Sequence, residues 1–152
     1  MLRDMTQADI DAVLSIEQAV QAYPWTRGNF VDALNSGYMC SLDEAGGEIR
    51  GYAVLMPVLD EAELLNIGVA AAWQRKGLGR TLLNEMLQAA RARNMKRVFL
   101  EVRPSNVAAN ALYRCAGFGV IGVRHDYYQN ANGSEDALVM ACDTKGEANG
   151  QA

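Results

Sequence analysis

The residues that build covalent staples and metal centres are scarce in this chain. Three cysteines, Cys40, Cys115 and Cys142, are spread over 152 residues. Odd in number, far apart and without metal-ligand spacing, they read as reduced, mostly buried thiols of a cytosolic protein, and no metal is expected. Histidine occurs once, at His125, on an expected strand. Long apolar runs are missing, and acids come early in Met1 to Asp9, so neither a signal peptide nor a membrane span is expected. Positive charge is short as well. A net charge of −4 argues against a nucleic-acid binder and tolerates a cationic partner. Internal repeats and low-complexity tracts are absent.

What is present is ordinary globular material. Half of the residues are hydrophobic and 21% are charged, enough for one domain with a proper core. Residues 2–5 suit a short strand, and Ala8 to Val20 a helix with Ile10, Val13, Leu14 and Ile16 at roughly helical spacing. Tyr23, Pro24 and Trp25 break it. Thr26 N-caps a second helix to about Asn35, stopped by Gly37. The period then changes to strands at Tyr38 to Leu42 and Ile49 to Leu59, joined at Gly46 and Gly47. Asp60 and Glu61 turn the chain into a third strand, Glu63 to Val69. Pro57 implies an edge or a bulge.

Val69 to Leu83 runs from strand end through a glycine loop into a helix. Leu78, Leu82, Met86 and Ala90 are spaced by four, and Asn94 ends the helix. Arg97 to Arg103 suits a strand, Asn106 to Ala116 a helix stopped by Gly117, and Phe118 to Tyr127 with Asp136 to Cys142 a last β pair. The expected layout is one domain over residues 1–143 and a disordered tail over 144–152.

The glycine loop is the most informative stretch. Gly77 and Gly79 let the main chain come close to a bulky anion, and a helix start adds free N–H groups and a favourable dipole. A Walker P-loop needs Lys and Ser/Thr after its last glycine, but Arg80 follows Gly79. A dinucleotide fingerprint needs a third glycine where Leu82 stands, and a parallel unit where an antiparallel meander precedes the loop. What remains is Gln/Arg-x-x-Gly-x-Gly, satisfied by Gln74, Gly77 and Gly79.

At this point the chain resembles the GCN5-related N-acetyltransferase (GNAT) superfamily, whose acetyl-CoA pyrophosphate rests on such a loop. Leu65 to Ala70, Leu100 to Asn106, Ala111 to Tyr113 and Gly117 with Phe118 extend the resemblance. So do Tyr23 to Trp25, Asp126 to Tyr128 and Glu135 to Ala137. Together they cover roughly residues 2–142 and are similar to the bacterial RimI-type subfamily, which acetylates the N-terminal alanine of a small-subunit ribosomal protein. The resemblance implies an α/β (mixed α+β) fold, with about seven strands in a mostly antiparallel mixed sheet, about four helices and splayed central strands. It implies acetyl-CoA as cosubstrate, a ribosomal-protein N-terminus as partner, and a cytoplasmic enzyme with no direct nucleic-acid or membrane partner. Gly68 stands where the resemblance has alanine more often, and a smaller residue there only opens the gap between the splayed strands.

Acetyl transfer needs a neutral amine. Neutralising an α-amine at pH 7 costs about 1.4 kcal/mol, and a lysine amine on the order of 4–5 kcal/mol. One modest base therefore suffices for an N-terminal substrate. Glu101 is the candidate: Val98, Leu100 and Val102 alternate onto one face of their strand and Glu101 onto the other. An acid within an apolar strand is desolvated, as a proton acceptor near neutrality requires. The alternative is a carboxylate paired with Arg103 or another nearby base. Tyr113 shares a helix face with Asn106 and Asn110 and is the candidate acid, the alternative being a core aromatic. The resemblance supports both roles. It also implies cofactor contacts from Ile67, Gly68, Val69, Gln74, Arg75, Lys76, Gly77, Leu78, Gly79, Arg80 and Asn106, although Asn106 can equally cap its helix. Tyr23, Trp25, Tyr127 and Tyr128 are candidate walls for the acceptor. Asp60, Glu61 and Glu63 are candidates for meeting a cationic second residue of the acceptor. A GNAT enzyme acting on a lysine or a small amine, and a non-catalytic acyl-CoA-binding module, remain as alternatives.

Overall fold

The computed structural model of the chain describes residues 2–130 and 133–144. Among them are seven strands and four α-helices. The strands are β1 (Leu2–Asp4), β2 (Met39–Ala45), β3 (Glu48–Val58), β4 (Glu61–Val69), β5 (Arg97–Val102), β6 (Gly119–Asn130) and β7 (Gly133–Asp143). The helices are α1 (Ile10–Val20), α2 (Arg27–Asn35), α3 (Leu78–Ala92) and α4 (Val107–Cys115). The strands form one mixed sheet in the order β1-β2-β3-β4-β5-β7-β6, with β4 and β5 parallel. The chain divides into two compact units: residues 1–57 with 64–86, and residues 58–63 with 87–152.

The first unit is built on local signals that agree with one another. Thr26 accepts from the Asn29 N–H at 3.2 Å while the Asn29 side chain accepts from the Thr26 N–H at 2.9 Å, a reciprocal cap that starts α2. Gly46 and Gly47, at φ 59° and 79°, form the two-residue turn between β2 and β3. Met39 to Asp43 are all buried, so β2 is covered on both faces. The core holds Ile10, Val13, Phe30, Leu42, Tyr52 and Val54. The Phe30 ring lies 5.0 Å from Trp25 and 6.1 Å from Tyr52. Pro57 does not mark an edge strand, because β3 lies between β2 and β4. It is tolerated because the β2 pairing runs only to Leu55, two residues earlier.

The first helix begins later than expected, at Ile10, after a 3-10 turn over Gln7–Asp9. Asp9 closes this turn, accepting from the Thr6 N–H at 2.8 Å and from both Arg3 terminal nitrogens at 2.9 Å. Hydrogen bonding to Arg3 holds its carboxyl at about 2, below the ordinary 3.8. A depressed carboxylate stabilises the fold above pH 3.8, and that contribution is lost as pH falls through about 2. Asp9→Asn therefore lowers stability at pH 6 by on the order of 1–2 kcal/mol. In thermal melts its deficit against the wild type narrows steadily from pH 4 to pH 2.

In the second unit β5 alternates as expected, with Val98, Leu100 and Val102 buried. It pairs antiparallel with β7, placing Glu101 opposite Val139. The β4 strand begins at Glu61 after a turn at residues 59 and 60, two residues earlier than expected. Ala62 and Glu63 pair with Val98 and Phe99. Thr144, assigned above to the tail, is buried: its N–H donates to the Lys96 carbonyl at 3.0 Å and its hydroxyl to the Met95 carbonyl. The remainder of the expected tail, 145–152, lies outside the described residues, as do 131 and 132 of the β6–β7 connection.

The β6–β7 pairing slips between Arg124, opposite Ala137, and Tyr128, opposite Glu135. Four steps along β6 thus face two along β7. Asp126 takes up the extra chain at φ 55°. Its N–H donates to Asp136 at 2.9 Å, and its carboxylate accepts from the Ser134 hydroxyl at 2.9 Å. In a regular strand, side chains three apart face opposite ways. Across this bulge, Arg124 and Tyr127 both reach Glu101.

Candidate active site

The glycine loop lies within the first unit. Ala70 is tied by its N–H to the Arg50 carbonyl at 2.8 Å, and Ala71–Trp73 make a 3-10 turn. Arg75 at φ 63° and Gly77 at φ 80° then curl the chain into α3. A β-carbon on Gly77 would meet open space, so the main chain is bare on that side. The first helical bond runs from the Thr81 N–H to the Gly77 carbonyl at 3.1 Å. The N–H groups of Leu78, Gly79 and Arg80 precede it and have no acceptor within the helix. Gly79 sits inside the first turn of α3, rather than in the loop itself. These features suit a polyanion: bare backbone, unpaired amides and a helix dipole, with Arg75 and Arg80 exposed beside them.

Four expected contacts serve the fold first. The Gln74 side chain donates to the Val69 carbonyl at 3.0 Å and closes the loop. Lys76 lies over the Trp73 ring at 5.3 Å, with Arg50 over the same ring at 5.0 Å. Asn106 caps α4, accepting from the Ala109 N–H at 3.2 Å. The Ile67 carbonyl accepts from the Gln21 side chain at 2.9 Å. Gly68 is no mere opening. A β-carbon there would lie 2.2 Å from the Tyr52 hydroxyl, so this glycine is the space that the Tyr52 ring fills.

The expected chemistry gathers in the second unit. Glu101 is not a lone desolvated acid, nor does it pair with Arg103. Its carboxylate accepts from Arg124 at 2.5 Å, with side-chain exposures of 13% for Glu101 and 55% for Arg124. The Tyr127 hydroxyl also donates to it, which raises the phenol's pKa. The Arg124 guanidinium lies 4.1 Å over the Tyr127 ring, and Arg103 lies 4.2 Å over the Tyr128 ring. Arg103 itself bonds Glu135 at 3.4 Å, and Glu135 also accepts from the Ser105 N–H and hydroxyl at 2.9 Å. Glu63 pairs beside Phe99 on the face that carries Glu101. Its pKa is raised, first by burial and then by the Glu101 charge.

Tyr113 is 8% exposed, its ring 5.8 Å from Phe118. Burial, and then the neighbouring Tyr128, push its phenol to about 12. It remains a proton donor throughout the neutral range. Asp60 and Glu61 are occupied: Lys96 pairs with the first at 3.3 Å and Arg97 with the second at 3.1 Å. That leaves Glu63 as the acid of the three beside Glu101. His125 is 81% exposed and lies 3.4 Å from Asp136, on the bulge. Among the aromatic candidates, Trp25 packs on Phe30, Tyr23 is 55% exposed, and Tyr127 and Tyr128 meet edge to face at 5.0 Å.

Sequence reasoning missed Arg124 and Glu17. The first faces Glu101 through the register of two strand pairs, since Gly122 stands opposite Val139, Val139 opposite Glu101, and Arg124 lies two residues beyond Gly122. The second had a visible signal: Glu17 falls on the buried stripe of α1, seven residues after Ile10 and four after Val13, and is itself 1% exposed.

A family model described as the acetyltransferase (GNAT) family matches residues 8–118. The ribosomal protein bS18-alanine N-acetyltransferase of Escherichia coli K12 is 37% identical over 140 residues, covering 92% of this chain and 95% of that protein. Its counterpart from Salmonella typhimurium LT2 is 39% identical over 137 residues, or 90% and 93% of the two chains. The crystal structure of the ribosomal-protein-S18-alanine N-acetyltransferase from Escherichia coli superposes with a TM-score of 0.88 at 36% identity, over 95% of this chain and 93% of that one. The family model spans the glycine loop, Glu101 and Tyr113 alike, and the relatives match almost end to end: the chain belongs to the GNAT acetyltransferase family.

Proposed function

We propose that this chain moves the acetyl group of acetyl-CoA to the α-amine of an N-terminal alanine, on the ribosomal protein that corresponds to bS18. The observation that carries this reading is the Glu101 carboxylate, held by Arg124 and Tyr127 on the face of β5 opposite Val98, Leu100 and Val102. The relatives named for that acceptor, matched over nine-tenths of each chain, support it. Gly77, the amides of Leu78 to Arg80, and the Arg75 and Arg80 side chains hold the pyrophosphate. Ile67 to Val69 flank the thioester, whose carbonyl carbon is the electrophile. Tyr23, Trp25, Tyr127 and Tyr128 wall the acceptor.

Glu101 takes a proton from the acceptor's ammonium. Arg124, whose own side chain is 55% exposed, must first release one carboxylate oxygen. Of the two protons that the ammonium loses, one leaves through Glu101 to solvent and the other ends on the departing sulfur. Tyr113 hydrogen-bonds that sulfur. Full transfer from a phenol at about 12 to a thiolate near 8.5 would be uphill by about 5 kcal/mol, so Tyr113 stabilises the leaving charge rather than surrendering its proton.

The test is mass spectrometry of basic, alanine-starting peptides incubated with the chain and acetyl-CoA. Acetyl on the α-amine is expected. Acetyl only on lysine would point to the side-chain enzyme, and binding of acetyl-CoA without transfer would point to a non-catalytic module; either overturns the reading.

A further inference from the structure

The first unit carries a buried carboxylate for which the chemistry above has no use. Glu17 lies on the inner stripe of α1. Its Oε1 accepts from the Tyr52 hydroxyl at 2.6 Å, its Oε2 from the Trp25 backbone N–H at 3.0 Å, and both oxygens from the Asn66 side-chain amide at 3.0 Å. One helical turn further on, the Gln21 side chain donates to the Ile67 carbonyl at 2.9 Å and to the Asn66 side-chain oxygen at 3.3 Å. The groups that reach Glu17 are a phenol, an amide and a main-chain N–H, all neutral. Burying a carboxylate among neutral donors is costly, and a leucine at this position of the stripe would bury at no such cost. The network therefore calls for a reason beyond stability.

Its connections supply one. The segment 21–26 links α1 to α2 and carries Tyr23 and Trp25, and Pro24 within it has no N–H to donate. Glu17 and Gln21 attach the two ends of this segment to Asn66 and Ile67 of β4. The β4 end is held independently, by the sheet and by the bond from the Ala70 N–H to the Arg50 carbonyl. The network thus ties the loop to the strand, beside the packing of Trp25 on Phe30, while the strand is held without it.

We propose that Glu17 is a positioning residue, which with Gln21 hangs the acceptor-facing loop from the strand that lies along the thioester. One carboxylate then sets the spacing between the acceptor wall and the acetyl donor. This rests on the assignment of Tyr23 and Trp25 to the acceptor and of Ile67 to Val69 to acetyl-CoA.

The test compares the wild type with Glu17→Gln and Gln21→Leu. The first keeps the volume but turns one accepting oxygen into a donor that faces other donors. The second cuts the tie to Ile67 at a half-buried site, where folding is not at stake. Glu17→Gln is expected to raise KM for an alanine-starting peptide by about 10- to 100-fold, and Gln21→Leu to raise it by about 3- to 10-fold. In both, the Kd for acetyl-CoA from calorimetry stays within about twofold. By NMR, hydrogen exchange at the Trp25 amide accelerates at least about tenfold in Glu17→Gln, while the Phe30 amide is unaffected. A purely structural role would lower Tm and move neither the peptide KM nor Trp25 exchange; that result overturns the proposal, as does a matching loss of acetyl-CoA affinity. Should the wild type modify no peptide, the assignment of function falls, and exchange at Trp25 still decides whether Glu17 holds the loop.

Discussion

Glu101→Gln is expected to lower kcat/KM for an alanine-starting peptide by about 10²- to 10⁴-fold while acetyl-CoA affinity holds. Glutamine keeps the shape of the side chain and can still accept from Arg124 or Tyr127, so the fold of β5 and β7 stays intact. What it loses is the ability to carry away the ammonium's proton. The loss falls on the chemical step because Glu101 is assigned to the proton and to none of the contacts with the pyrophosphate. Steady-state kinetics and isothermal titration with acetyl-CoA separate the two quantities. Equal losses of turnover and cofactor affinity would mean that Glu101 is a structural ion-pair partner of Arg124 and the base lies elsewhere. The substitution also removes the negative charge that the Arg124 guanidinium faces at 2.5 Å. Arg124 should then be free to turn to solvent, visible as sharpening of its side-chain NMR signals.

The second large effect is expected where one methyl group is added. Gly68→Ala would place a β-carbon 2.2 Å from the Tyr52 hydroxyl, 2.4 Å from its Cζ and 3.0 Å from its Cε1. Tyr52 is fully buried, wedged beside Phe30 with its hydroxyl committed to Glu17, so it has nowhere to retreat. Overpacking of this kind costs about 1–3 kcal/mol. In a chain of this size each kcal/mol lowers Tm by about 2–4 °C. The diagnostic is a double-mutant cycle with Tyr52→Leu. In that background the added methyl group has room, and its cost should fall to a few tenths of a kcal/mol. An undiminished penalty would show that the strand itself, rather than the ring, rejects a side chain at 68. The peptide KM of Gly68→Ala should also rise, because a displaced Tyr52 loosens its bond to Glu17.

Much of the architecture could be read in advance because it is written in local chemistry. Thr26 and Asn29 form a cap from residues three apart, Gly46 and Gly47 a turn from adjacent ones, and Gly77 a bend at the mouth of a helix. Each needs nothing from distant chain. The alternation of Val98, Leu100 and Val102 likewise announced which way Glu101 faces. The features that escaped depend on residues far apart in sequence. Arg124 belongs beside Glu101 only through the register of β6 on β7 and of β7 on β5, and Tyr127 joins it only once two surplus residues have rotated the far half of β6; nothing between 119 and 130 advertises where that slip falls. Gly68 was expected to widen a gap, because its demand for space comes from Tyr52, sixteen positions away on the neighbouring strand. Asn106 offered two readings from the start, and the helix cap is the one its oxygen satisfies. Pro57 offered an edge or a bulge, and the edge fails for a simpler reason: proline reports a missing donor, and a strand can outrun its neighbour as readily as it can lie at the border of a sheet.

The division of the chain into units that interleave along the sequence bears on synthesis. Residues 58–63 interrupt the first unit but belong to the second, where Ala62 and Glu63 pair with Val98 and Phe99. A nascent chain therefore releases every residue of the first unit by position 86. The six residues that leave it must wait for β5, some thirty-five codons later than themselves. Neither unit corresponds to a continuous stretch of the gene, so truncation at any single point removes residues from one unit or strands a piece of the other. The vulnerable interval during translation is the one in which Ala62 and Glu63 are out of the ribosome and their partner strand is not.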